Sequence, residues 1–138
     1  MIHLVTGGSG SGKSAYAEQC ILDFGGTRRV YIATMQPFGA EGQARIARHR
    51  KMRAAKKFST IECYTNLKEV ELEPGSDVLL ECMSNLTANE IFDPSGAGKA
   101  RTEEEILAGV SRLANQARNL VLVTNEIFSD GYRYEEET

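Results

Sequence analysis

Short apolar runs alternate with longer amphipathic stretches along this chain. Ile2–Thr6 (IHLVT) is the first run, carries β-branched residues and ends at Gly7, which predicts a buried strand entering a turn. From Lys13 to Phe24 the positions Ala15, Ala17, Cys20, Ile21 and Phe24 recur at helical spacing, and Gly25-Gly26 stops the pattern. Val30–Ala33 (VYIA) predicts a second strand. Glu41–Lys57 holds good helix formers, no proline and a single early glycine, which predicts a helix. Ser59–Thr65 alternates weakly, as a short strand would. Pro74-Gly75 marks a turn, Asp77–Cys82 (DVLLEC) a buried strand and Asn85–Phe92 a helix. Asp93–Arg101 reads as loop. Thr102 with Glu105 forms a capping box opening a helix to about Arg118. Asn119–Thr124 (NLVLVT) is the last clear strand, and Tyr134–Thr138 looks like the start of another helix. Such alternation predicts an α/β fold with a mostly parallel sheet, residues 1–138 forming one domain.

Composition narrows the class. With 138 residues, 41% hydrophobic and 25% charged, the chain suits one globular domain. No apolar run approaches the roughly 18 residues of a membrane span. The first residues reach glycine too early for a signal peptide and lack a basic start. Cys20, Cys63 and Cys82 are odd in number and widely spaced, with no CxxC pair, as expected of buried reduced thiols in a cytoplasmic protein. The net charge is only −3, but seven cations (Arg45, Arg48, Arg50, Lys51, Arg53, Lys56 and Lys57) fall together with no acid between them. A concentrated cationic segment in an acidic chain points to an anionic ligand, or else to a solvated basic face.

The strongest chemical signal follows the first strand. Gly7-Gly8-Ser9-Gly10-Ser11-Gly12-Lys13-Ser14 fills every fixed position of G-x-x-x-x-G-K-[ST], with a strand before it and a helix after it. Its glycines let backbone N–H groups wrap a phosphate chain, and the helix start adds its partial positive charge. Lys13 can reach the β- and γ-phosphates, and the Ser14 hydroxyl can bind Mg²⁺. The motif indicates nucleotide binding without naming the reaction. Phosphoryl transfer also wants a carboxylate near the metal, and Glu81 and Glu126, at the ends of the strand strings DVLLEC and LVLVTNE, are the two candidates.

Of two histidines, His3 falls inside the first strand and reads as structural. His49 lies in the basic helix, where Glu41, Arg45, His49 and Arg53 recur every four residues and share a face. Neighbouring cations disfavour a protonated imidazole, and a neutral imidazole has the lone pair needed to attack phosphorus. The same arginines could hold the phosphates under attack. On spacing alone a solvated basic helix is the favoured reading.

The P-loop, VYIAT, the helix ARIARHRKMR, TIEC, VLLEC and LVTNE follow one another in an order that resembles one family. It is the bifunctional adenosylcobinamide kinase/adenosylcobinamide-phosphate guanylyltransferase family of cobalamin synthesis, and the resemblance runs over nearly the whole chain. It implies a P-loop α/β domain, a homotrimer, a Mg²⁺ requirement and ATP or GTP as substrates. Gly7 to Ser14 would hold the triphosphate, and Ile32, Ala33 and Thr34 would line the nucleotide site. His49 matches the histidine that becomes guanylylated. Arg50, Lys51, Met52 and Arg53 after it, with Glu62 and Glu81, match GTP contacts. The family pattern continues with a helix and a hydrophobic strand beyond these 138 residues.

The implied chemistry is phosphorylation of adenosylcobinamide followed by GMP transfer from GTP, through a covalent histidine, to give adenosylcobinamide-GDP. Two other readings stay open on the residues alone. A monofunctional P-loop small-molecule kinase would use the basic helix as a lid and leave His49 incidental. A nucleic-acid-binding NTP switch would use the Arg45–Lys57 patch, against which stand the acidic composition and the few aromatics near it.

Overall fold

The computed structural model describes residues 2–7, 12–35 and 39–125. The elements are β1 (Ile2–Gly7), α1 (Lys13–Asp23), β2 (Arg28–Ala33), α2 (Gly39–Ala55), β3 (Phe58–Glu62), β4 (Ser76–Leu80), α3 (Met83–Phe92), α4 (Thr102–Gln116) and β5 (Asn119–Asn125). A 3-10 turn at Leu67–Glu69 separates β3 from β4. The five strands form one sheet in the order β1-β5-β4-β2-β3, and all four pairings are parallel. The α/β class and the parallel sheet expected from the alternation are both present.

Strand alternation divides the core in two. On one face Ile32, Val78, Leu80, Leu120 and Leu122 pack with Leu86 of α3, Leu113 of α4 and Leu67. On the other, Tyr31, Leu79, Val121 and Val123 pack with Ala17 and Ile21 of α1. β4 lies in the middle of the sheet and is buried at every residue. That matches the unbroken apolar run Val78–Leu80, while the two polar residues that open the strand are buried as well, Ser76 Oγ donating to the Glu73 carbonyl and Asp77 Oδ1 accepting from Asn119.

Two local expectations are corrected. β1 is not a buried strand: Ile2 is 52% exposed and Leu4 63%, with Val5 its one buried residue. It sits at an edge of the described sheet, and its even-numbered side chains project on the α3/α4 face, where no described helix covers them. The capping box at Thr102 does not form either. Arg101 occupies the N-cap, while Thr102 is buried and its Oγ1 donates to the Gly98 carbonyl at 2.7 Å. Glu105 turns instead to Lys68 (2.7 Å) and Arg101 (3.0 Å). The Lys68 hydrogen bond, followed by the charges of Lys68 and Arg101, holds the Glu105 carboxyl below its usual value.

Candidate functional site

Because every strand is parallel, all five carboxyl ends fall along one edge of the sheet, where ligands bind in such folds. The register aligns these ends: Gly7 pairs with Asn125, Leu122 with Leu80, Leu80 with Ile32, and Ala33 with Glu62. The residues that leave this edge are those singled out from sequence. Gly7 closes β1, Thr34 follows β2, Glu62 closes β3 and Glu81 follows β4.

Gly8, Ser9, Gly10 and Ser11 of the phosphate loop lie outside the described residues, as does Glu126. Gly12 has φ +81, a left-handed conformation that favours glycine, and it is the N-cap from which α1 starts. Lys13 and Ser14 are therefore the first two helical residues. The strand before the motif and the helix after it are in place, with the positive helix terminus facing the strand-end edge.

Thr34 is buried and tightly held. Its Oγ1 donates to the Cys82 carbonyl at 3.0 Å, and its own carbonyl accepts from Asn89 Nδ2 at 2.8 Å. The preceding carbonyl, of Ala33, accepts the Cys63 N–H at 2.9 Å. The ends of β2 and β4 and the chain leaving β3 are thus tied to one another.

The basic helix α2 packs along β3. His49, Arg50, Lys51, Met52 and Arg53 occupy its C-terminal half. Arg50 makes an ion pair with Glu62, both about half exposed, so that one end of the pair directly follows His49 in α2 and the other closes β3. Glu62 stands between two open hollows. One of about 470 Å³ is lined by Arg50, Ala54, Phe58, Thr60 and Glu62, and the other, of about 420 Å³, by Glu62 and the segment after it.

The structure does not bring every described sequence candidate to one place along this edge. β3 and β1 are at opposite edges of the described sheet, four strand spacings or about 19 Å apart, so Glu62 at the end of β3 stands well across the strand-end edge from Gly7 at the end of β1. Ile32–Thr34 and Glu81 occupy the ground between them. Two polar residues at this edge, Asn89 and Glu90 of α3, escaped sequence reasoning. The available signal was Glu90 itself, four residues after the buried Leu86 and hence on the apolar side of its helix.

Among the described residues no three His, Cys, Asp or Glu side chains gather as a metal cage. Mg²⁺ carried by a nucleotide needs only one or two protein oxygens beside phosphates and water. A hydroxyl at position 14 and a carboxylate at position 81 are donors of the hard type this ion prefers.

Residues 3–136 match the family model described as cobinamide kinase / cobinamide phosphate guanyltransferase. The chain is also similar to the bifunctional adenosylcobalamin biosynthesis protein CobU of Escherichia coli (strain K12), with 35% identity over 140 residues, 92% of this chain and 76% of that protein. The protein of the same name from Salmonella typhimurium (strain LT2) matches with the same identity and coverage. A family model spanning nearly the whole chain, on a parallel sheet whose first strand leads through a P-loop into α1, places this chain in the cobinamide kinase / cobinamide phosphate guanyltransferase family.

Proposed function

We infer that this chain phosphorylates adenosylcobinamide with ATP or GTP and then transfers GMP from GTP to the product, giving adenosylcobinamide-GDP. The family match carries this reading, and the strand–P-loop–helix unit supports it. In the kinase step the backbone N–H groups of the phosphate loop and the start of α1 hold the triphosphate, while the Lys13 ammonium offsets charge on the γ-phosphoryl as it moves to the substrate hydroxyl. The Ser14 hydroxyl and the Glu81 carboxylate would hold Mg²⁺, which would supply further charge neutralisation on the phosphates.

In the second step a neutral His49 attacks the α-phosphorus of GTP. An N–P bond forms, the bond to the β-phosphate oxygen breaks, and pyrophosphate leaves. The GMP then passes to the phosphate of adenosylcobinamide phosphate, freeing the imidazole. Arg50, Lys51, Met52 and Arg53 on α2, with Ile32, Ala33, Thr34, Glu62 and Glu81 at the strand ends, contact the nucleotide in this reading. A homotrimer and a cytoplasmic location complete the proposal.

Intact mass after incubation with GTP and Mg²⁺ tests it. The expected result is a GMP adduct on the wild type, labile to acid and stable to base, that is absent from His49→Ala. A folded, GTP-binding protein that forms no adduct would leave only a P-loop kinase.

A further inference from the structure

We propose that Asn89 and Glu90, adjacent residues in the last turn of α3, are positioning residues that set where the ends of β2 and β3 stand in the nucleotide site. The inference rests on the nucleotide-site reading above. One residue step along a helix turns a side chain by about 100°, so neighbours reach different elements. Asn89 reaches β2: its Nδ2 donates to the Thr34 carbonyl at 2.8 Å. The Thr34 carbonyl shares a rigid peptide plane with the Met35 N–H, so holding the oxygen toward α3 aims that N–H away from α3.

Glu90 reaches the turn after β3. Its carboxylate is 1% exposed and accepts two backbone N–H groups, Asn66 on Oε2 and Ala97 on Oε1, each at 3.0 Å. Asn66 has φ +58, a conformation uncommon outside glycine, and the Glu90 bond holds its amide there. The backbone oxygen of Glu90 accepts the Gly98 N–H at 2.8 Å, closing the loop toward α4 on the same residue. A single helical turn therefore fixes both Ile32–Thr34 and the chain that leaves Glu62, two walls that the Cys63 N–H also joins directly through the Ala33 carbonyl. A buried carboxylate with no cation among its described hydrogen-bond partners is a costly way to pack a helix, where leucine would serve. Its worth lies in the backbone geometry it imposes.

Binding of GTP and of tripolyphosphate, which probes the phosphate cradle alone, separates positioning from general support. In Asn89→Asp a carboxylate faces the Thr34 carbonyl at neutral pH. GTP should bind about tenfold more weakly, tripolyphosphate as in wild type, and the maximal rate of adduct formation should change by less than about twofold. The like-charged oxygens raise the pKa of the introduced acid, so lowering the pH toward about 5 restores a donor O–H, and GTP affinity relative to wild type at the same pH should recover. Glu90→Gln turns an NH₂ toward a backbone N–H and should weaken GTP in the same selective way; it carries the test if Asn89→Asp fails to fold. Parallel losses of GTP and tripolyphosphate, or unchanged GTP binding in both variants, would overturn the inference alone. A wild type that binds tripolyphosphate but not GTP would overturn the nucleotide-site reading along with it.

Discussion

Cys63 shows how a single buried group ties stability to pH. Its thiol lies in the core, its Sγ donates to the Thr65 carbonyl at 3.3 Å, and burial, then Glu90 and Glu69, push it up to about 11 from 9.0. A group raised on folding contributes fully below the unfolded value and loses its contribution as the folded value is passed. Denaturant unfolding should therefore show stability falling as pH rises from about 9 to about 11, and Cys63→Ala should flatten that limb. Gly109 offers a second residue-scale test. A Cβ there would lie 2.7 Å from Leu67 Cβ, so Gly109→Ala should lower stability by about 1–3 kcal/mol in thermal melts. Neither property was legible in the sequence. The spacing of Cys63 from Glu90, and of Gly109 from Leu67, closes only when α3 and α4 pack on the sheet.

At the scale of elements, the types were legible because period and breakers agree. Gly25 ends the first helix, Pro74-Gly75 turns the chain into β4, and each apolar run became a strand. What periodicity cannot carry is rank within the sheet. Ile2–Thr6 and Asp77–Cys82 look alike as strings, yet β4 is central and β1 lies at an edge. Leu80→Ala, in the buried strand, should cost about 2–5 kcal/mol by chemical denaturation. The Thr102 capping box failed for a comparable reason, since the loop before α4 folds back and offers the Gly98 carbonyl as a nearer partner. Arg50 belongs to this scale too, because it links α2 to β3. Its ion pair with Glu62 is half exposed, so Arg50→Ala should change stability by less than about 1 kcal/mol. GMP-adduct formation should nevertheless slow about tenfold, as expected for a lost charged contact to the nucleotide.

At the scale of the whole molecule, the P-loop and the order of motifs made the family legible, while the division of the site did not show. Linear order places the TIEC segment midway between the P-loop and LVTNE, whereas the sheet sets β3 farthest from β1. The pairing of β1 also has a consequence for synthesis. Among the described residues β1 hydrogen-bonds only with β5, and Ile2 meets Leu120 across about 120 residues of chain. At roughly 5–20 residues per second the ribosome needs on the order of ten seconds to supply that partner. The segment leading into the P-loop is translated before β2, β3 and β4 but gains its strand neighbour only after all three, so a nascent chain has those strands available to pair before β1 can be anchored.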